Sequence, residues 1–288
     1  MRFILIKKRT LCIILAGVFI AFTGTGFAVT RAAKAAAQSD TATALPILMY
    51  HSVLKDPAAA SRYVISPDTF RSDMRYLKAN GYTTVFLSEV CDFVLKGTPL
   101  PAKPVVVTFD DGYLNNLTYI LPIVEELDIK AVISVVGEFS QRYTDTDDPN
   151  PAYAHLTWDD IKLLADSGHI EIGNHTYSMH STSPRKGCTK LRSESEEEYL
   201  RVLSGDLGKL QDKLKENCGI TPIIFAYPFG YMNESSISVL KQLGFTCALT
   251  CAEKVNYLNG SPEQLFRLCR FNRPAGISTE SFMKRIED

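Results

Sequence analysis

Short apolar runs alternate with helical patterns from Leu45 to the C-terminus, and this alternation limits the folds open to the chain. Strands that alternate with helices form a parallel sheet, either open or closed into a barrel. The roughly 245 residues from Leu45 onward are close to the ~250 residues typical of a (β/α) barrel. The runs that we interpret as strands are LPILMYH, PVVVTFD, KAVISVV, HIEIG, PIIFAY, FTCALT and RLCRFNR.

Helix boundary signals in the segments between the predicted strands support the alternation of strands and helices. The segment SPDTFRSDMRYLKANG has Ser66 as a predicted N-cap, Pro67 in the first turn and Gly81 just past the end. A long charged helix is predicted over about residues 193–217, with its acidic SESEEE start at the favourable end of the helix dipole. In either architecture, chemistry is expected at the carboxyl ends of the strands.

The N-terminal region differs from the rest of the chain. Arg2, Lys7, Lys8 and Arg9 precede an uncharged stretch over residues 10–30, which indicates a signal peptide or an N-terminal membrane anchor over residues 1–30. An Ala-rich linker is predicted over residues 31–44, and one catalytic domain over residues 45–288. We therefore expect an exported protein, extracellular or at the cell surface, that contacts a membrane if this segment is not cleaved.

Charge and cysteine content exclude some classes of function. The formal net charge is -1, so the chain lacks the basic surface expected of a nucleic-acid-binding protein. Seven cysteines are present, and their spacing matches neither a disulfide framework nor a zinc site.

Two adjacent carboxylates, Asp110 and Asp111, end the run PVVVTFD and precede Gly112. Side chains alternate along a strand, so both carboxylates reach one site only if the backbone turns there, as Gly112 permits. Adjacent carboxylates repel each other, which shifts their pKa values unless a cation lies between them. The pair favours a metal ligand beside a general base, with a structural turn in which Asp110 caps a helix as the alternative.

Two of the five histidines, His175 and His180, follow the run HIEIG. Their spacing would place the side chains about 140° apart on a helix, so a helical zinc pair is excluded and a loop at a strand end is predicted. Two imidazoles and one carboxylate form a three-ligand set that leaves metal positions open for water and substrate.

The segments Thr108-Phe109-Asp110-Asp111-Gly112 and Glu171-Ile172-Gly173-Asn174-His175-Thr176 resemble the first two motifs of the polysaccharide deacetylases, carbohydrate esterase family 4. The resemblance implies an α/β fold, a distorted (β/α) barrel of about seven parallel strands with outer helices. It implies that Asp110 is the catalytic base, and that Asp111, His175 and His180 bind a divalent metal, zinc first and cobalt or nickel as alternatives. The spacing of the two histidines resembles that of a branch that acts on exported poly-N-acetylglucosamine-like polymers.

Two family features are absent. The third motif of the family begins with an Arg that orients the base, and Phe225 stands at that place. The late Leu-x-His motif, which supplies the catalytic acid, is replaced by Leu268-Cys269-Arg270. The remaining core of the third motif is expected, by resemblance, to line the sugar site and to supply a backbone N–H for the oxyanion; it consists of Tyr227, Pro228, Phe229 and Gly230.

His51 is the expected replacement for the missing acid. It ends the first predicted strand, in Leu48-Met49-Tyr50-His51, and resembles the late motif moved to the front of the domain, as in permuted members of that branch. First and last strands are neighbours in a closed or nearly closed barrel, so a His on either strand reaches the same site. A structural His at a strand end is the alternative.

These features predict metal-dependent hydrolysis of N-acetyl groups from an N-acetylglucosamine-containing cell-wall or extracellular polysaccharide, with release of acetate. The expected partner is an acetylated amino-sugar polymer. A catalytically silent glycan-binding module with the same fold is the alternative. The missing Arg and late His make that alternative conceivable, but the intact Asp pair and His pair argue against it.

Overall fold

Strands and helices alternate through residues 42–287, the part of the chain that the structure, a computed structural model, describes. The strands are β1 (Thr43–Leu45), β2 (Ile47–Tyr50), β3 (Ser52–Val53), β4 (Val64–Ile65), β5 (Thr83–Thr84), β6 (Pro104–Phe109), β7 (Ala131–Val135), β8 (Ile170–Asn174), β9 (Ile224–Ala226), β10 (Cys247–Leu249), β11 (Asn256–Leu258) and β12 (Phe271–Asn272). The helices are α1 (Pro67–Ala79), α2 (Leu87–Lys96), α3 (Leu121–Leu127), α4 (Gly137–Thr146), α5 (Trp158–Asp166), α6 (Glu196–Cys218), α7 (Ser236–Gln242) and α8 (Thr279–Glu287).

One curled parallel sheet forms the centre of the molecule. Its strand order is β10-β9-β8-β7-β6-β2-β12, and β5 pairs with the first residues of β6. Each neighbouring pair along this order is parallel. The sheet curls into an incomplete barrel. Crossover helices connect its parallel strands and lie around it. The prediction of a distorted (β/α) barrel of about seven parallel strands is confirmed.

Residues 268–272 occupy the gap between the two edges of the curled sheet, and we call this segment the seam. Its first residue, Leu268, forms a parallel bridge with Leu249 of β10. Its last two residues are β12, which pairs with β2. The seam therefore brings the C-terminal part of the domain beside the first long strand, as a nearly closed barrel requires.

Alternation along the strands divides the side chains between two environments. On β6, Val105, Val107 and Phe109 belong to one apolar cluster, whereas Val106, on the other face of the strand, belongs to a second cluster. The inward positions become polar toward the carboxyl ends of the strands. The inward series are Ile47-Met49-His51 on β2, Val106-Thr108-Asp110 on β6 and Gly173-His175 on β8.

Helix boundaries follow the capping residues in the sequence. The Ser66 hydroxyl accepts a hydrogen bond from the Thr69 N–H at 3.1 Å, so the predicted N-cap of α1 is confirmed. The long helix α6 begins after Ser195, which forms a capping box with Glu198. The helical stretch that contains Pro122 consists of a π-helical turn over Asn116–Ile120 followed by α3.

The N-terminal predictions fall mainly outside the described residues. The signal peptide or membrane anchor over residues 1–30 lies there, as does most of the predicted linker. The linker range overlaps β1 by two residues, because Thr43 and Ala44 pair with β11. Within residues 42–287, no helix combines the length and the apolarity that crossing a bilayer requires.

A buried ion pair joins the two terminal parts of the domain. Asp73 of α1 and Arg273, which follows β12, are both buried, and Arg273 Nε donates to Asp73 Oδ2 at 2.8 Å. The Tyr50 hydroxyl and the Thr279 hydroxyl donate to the same carboxylate at 3.1 and 2.6 Å. Four separate segments thus meet at Asp73, and a buried charge that loses its partner is costly.

Replacing Asp73 with Asn should lower the free energy of unfolding by about 3 kcal/mol, because the Arg273 guanidinium would remain buried without a counter-charge. Denaturant unfolding measures this change. The matched control is Asp92→Asn, which removes an exposed i,i+4 pair with Lys96 and should cost less than about 0.5 kcal/mol. Equal losses for the two variants would contradict the role of the buried pair.

Candidate active site

The carboxyl ends of β2, β6 and β8 surround a cavity of about 390 Å³. Five residues that the sequence analysis assigned to chemistry line this cavity together: His51, Asp110, Asp111, His175 and His180. They come from three different strand ends and one loop, so the parallel sheet is what brings them together. The site therefore lies where a barrel or a doubly wound sheet is expected to place chemistry.

Asp111, His175 and His180 converge on one point. One potential ligand atom from each residue lies within 4.8 Å of the other two. His180 Nε2 and His175 Nε2 lie 3.1 and 3.5 Å from Asp111 Oδ1. The centroids of the two imidazole rings are 5.0 Å apart.

The chemistry of these three atoms fits a divalent cation. His175 Nδ1 lies 2.7 Å from the Ala226 carbonyl oxygen, which can only accept, so Nδ1 carries the proton. In the neutral ring, Nε2 then presents its lone pair toward the buried Asp111 Oδ1. Lone pairs that face one another repel unless a positive charge lies between them. The backbone carbonyl of β9 thus holds His175 in the tautomer and orientation that a metal ligand needs.

Three residues around the site have unusual backbone conformations, which fix the directions of their side chains. Asp111, Thr176 and Phe229 have φ values of 71°, 74° and 59°, in the left-handed region that residues other than glycine rarely adopt. Such a conformation costs on the order of 1–3 kcal/mol and is concentrated at functional sites. The turn that the Asp pair was predicted to need is present, and it begins at Asp111 and continues through Gly112.

Asp110 lines the same cavity but is not part of the three-atom cluster, and it pairs with Arg270. Arg270 Nη1 and Nη2 donate to Asp110 Oδ1 and Oδ2 at 2.7 and 2.8 Å, and both side chains are buried. Burial by itself raises the pKa of Asp110, but the charge and the hydrogen bonds of the Arg270 guanidinium outweigh it, so the pKa of Asp110 lies below its usual value. Asp110 is therefore ionised and held in a fixed orientation.

The sequence analysis missed Arg270. It noted that the third motif lacks an Arg and that Leu268-Cys269-Arg270 lacks a His, but it did not connect the two absences. A signal was available, because Arg270 stands in the short apolar run RLCRFNR, and a charge in a buried strand needs a partner. Its Nε also donates to the Thr250 carbonyl oxygen at 3.0 Å, so this one side chain spans the seam from β10 to β6.

His51 lines the cavity on the side of β2. Burial lowers the pKa of His51 from its usual value of 6.5 and outweighs the attraction of Asp110 and Asp111. The Asn116 side chain donates to the His51 carbonyl oxygen at 3.0 Å and fixes the backbone at this position. The Tyr63 ring packs against the imidazole with a centroid distance of 4.7 Å.

Of the four third-motif residues, only Phe229 lines the cavity. Tyr227 is buried in the core, and its hydroxyl lies 2.7 Å from the Ser236 hydroxyl. Pro228 is buried, and Gly230 packs so closely against Cys251 that a Cβ would lie 2.7 Å from Cys251 Cβ. These three residues shape the turn that presents Phe229, whose ring centroid is 4.7 Å from that of His180.

Comparisons with known proteins agree with this geometry. The sequence model of the family described as polysaccharide deacetylase matches residues 97–248, more than half of the chain. The chain is 27% identical over 223 residues to the poly-beta-1,6-N-acetyl-D-glucosamine N-deacetylase of Escherichia coli (strain K12). That match covers 70% of this chain and 33% of the relative, so the chain spans about a third of the relative's length.

Two solved structures have the same fold. A de-N-acetylase from Aggregatibacter actinomycetemcomitans superposes with a TM-score of 0.70 at 27% identity, covering 85% of this chain and 100% of that one. IcaB from Ammonifex degensii superposes with a TM-score of 0.69 at 26% identity, covering 86% and 97%. By the family match, the fold and the strand-end site, the chain belongs to the polysaccharide deacetylase family.

Proposed function

We propose that the protein is a metal-dependent hydrolase that removes N-acetyl groups from an N-acetylglucosamine-containing cell-wall or extracellular polysaccharide and releases acetate. The observation that carries this proposal is the division between the two aspartates. The Asp111 carboxylate lies beside the imidazoles of His175 and His180. The Asp110 carboxylate instead forms an ion pair with the Arg270 guanidinium. Relatives named as poly-beta-1,6-N-acetyl-D-glucosamine N-deacetylases support an acetylated amino-sugar polymer as the substrate.

Asp111, His175 and His180 would hold the metal. Zinc is the first expectation, since it accepts a mixture of imidazole and carboxylate ligands and leaves a position open in catalytic sites, and cobalt or nickel also suit such ligands. A divalent cation bound there supplies Lewis acidity toward the acetyl carbonyl and toward water.

Asp110 would act as the general base. The two hydrogen bonds from Arg270 occupy one lone pair on each Asp110 carboxylate oxygen. Each oxygen keeps a second lone pair that can accept a water proton. Its lowered pKa keeps Asp110 ionised at neutral pH, and the fixed guanidinium prevents it from turning toward the metal ligands. Asp110 would take the proton of the attacking water as the water adds to the acetyl carbon.

The Phe229 N–H would stabilise the oxyanion. The Tyr227 N–H donates to the Leu249 carbonyl oxygen at 3.0 Å, and Pro228 has no N–H. Within the described residues, the Phe229 N–H has no acceptor, so it is the donor that the third motif leaves available. His51, which lines the same cavity, would in its protonated form give a proton to the departing sugar amine.

We also propose that the protein acts outside the cytoplasm, since its proposed substrate is an exported or cell-wall polymer. The N-terminal signal peptide or membrane anchor stays a prediction from the sequence.

Chelation should abolish acetate release from acetylated chitooligosaccharides, and zinc, cobalt or nickel should restore it, because the Lewis acid is removed and then returned. His180→Ala should lower both the metal bound per chain and the acetate released. His169→Ala is the control, since His169 contacts the Ile129 carbonyl oxygen away from the site. Metal binding without acetate release from any acetylated oligosaccharide would favour a silent glycan-binding module instead.

The two catalytic assignments predict different dependence on the leaving group. Asp110→Asn should slow hydrolysis of both an acetylated oligosaccharide and 4-nitrophenyl acetate by on the order of 100-fold or more. His51→Ala should slow the oligosaccharide reaction by a similar factor and the ester reaction much less, because nitrophenolate leaves without a proton. Steady-state kinetics at equal metal content measure both. Equal losses on the two substrates for His51→Ala would remove His51 from the acid role.

Arg270→Gln should move the acid limb of the kcat/KM profile to higher pH. Asp110 must be ionised to accept a proton, so activity is lost as pH falls through its pKa, and removal of the guanidinium raises that pKa. Arg267→Gln, three residues earlier and exposed, should leave the profile unchanged. An unmoved acid limb in a folded Arg270→Gln enzyme would contradict the pairing of Arg270 with the base.

A further inference from the structure

Tyr63 presents an exposed aromatic ring at the mouth of the active-site cavity. Its exposed fraction is 47%, it lines the same cavity as the proposed catalytic residues, and it lies on the His51 side. Exposed aromatic rings are common at carbohydrate sites because their apolar faces suit the C–H faces of sugars. We propose that Tyr63, together with Arg62, binds the pyranose ring of the sugar residue that loses its acetyl group; this inference rests on the proposed function.

The arrangement of the four groups around the acetyl carbon places the sugar ring on the His51 side of the cavity. The acetyl carbon would carry the oxyanion, the attacking water's oxygen, the methyl group and the sugar nitrogen. The oxyanion would face Phe229, and the nitrogen would face His51, which gives it a proton. Because the sugar ring is attached through that nitrogen, the ring extends past His51 toward Tyr63, whose centroid lies 4.7 Å from the imidazole.

The backbone around Tyr63 is held from three directions. The Ser52 N–H donates to the Tyr63 carbonyl oxygen at 3.1 Å, and the Ala275 N–H donates to the Ser61 carbonyl oxygen at 2.9 Å. The Asn272 side chain of β12 donates to the Arg62 carbonyl oxygen at 3.0 Å. A backbone fixed in this way needs little further ordering when a ligand binds, which favours a binding surface over a loop that is exposed by chance.

Arg62 adds a polar group to the same surface. Its guanidinium carbon lies 5.5 Å from the centroid of the Tyr63 ring, and its side chain lines the cavity. A planar group with five N–H donors over an exposed aromatic ring suits the hydroxyls of a neutral sugar that packs against the exposed part of that ring. The pair therefore recognises the sugar unit, and the metal ligands and Asp110 recognise its acetamido group.

The test measures binding and turnover in the full-length, zinc-loaded chain. In the Asp110→Asn background, Tyr63→Ala should weaken binding of N-acetylglucosamine pentamer in a calorimetric titration by roughly tenfold, and Tyr63→Trp should retain it. With active enzyme, Tyr63→Ala should raise KM for the pentamer more than it lowers kcat. The loss in kcat/KM should be roughly tenfold for the pentamer and less than about threefold for 4-nitrophenyl acetate, which has no sugar.

Tyr257→Ala is the matched control, because Tyr257 is 56% exposed and lies outside this cavity. It should change none of these values. Unchanged pentamer binding in Tyr63→Ala, or equal losses on the pentamer and the ester, would overturn the proposal and leave Tyr63 as packing for His51. Pentamer binding that depends on Tyr63 without acetate release would instead support the sugar site while contradicting the proposed hydrolysis.

Discussion

The pairing of Arg270 with Asp110 is the interaction on which the rest of the site depends. Arg270 belongs to the seam, and its guanidinium reaches β10 through the Thr250 carbonyl and the end of β6 through Asp110. Two buried charges would be costly apart, so each requires the other in place. The same contact links the two edges of the curled sheet and keeps Asp110 ionised. Closure of the barrel and the ionisation of the proposed base thus depend on one side chain.

A single feature of parallel sheets explains how distant residues share one cavity. Inward side chains recur at every second residue, and they change from apolar to polar toward the strand ends. The series Val106-Thr108-Asp110 shows this change within one strand. Val106, early in this series, packs in the apolar interior, and Asp110, at its end, faces the cavity. Each strand therefore supplies packing at one end and chemistry at the other.

Sequence reasoning predicted the fold and brought five residues to one site, because each of these residues follows or ends an apolar run. It missed Arg270, whose partner lies 160 positions away in the sequence, so no local pattern joins them. It placed Tyr227 among the site-lining residues, but the strand direction sends that side chain into the core. It also omitted strands such as β3 and β5, because two-residue strands carry no periodic signal. Local pattern predicts position along a strand, whereas partners across the barrel require the folded chain.

The small number of paired residues in the seam affects how readily this edge of the barrel opens. Parallel pairing there involves one bridge at Leu268 and the two residues of β12, compared with five residue pairs between β7 and β8. Segments with few such contacts open at a lower free energy than the whole domain. When the seam opens, the guanidinium leaves the carboxylate and the pKa of Asp110 rises, so opening of this edge and protonation of Asp110 are thermodynamically linked. Acid therefore favours the open edge.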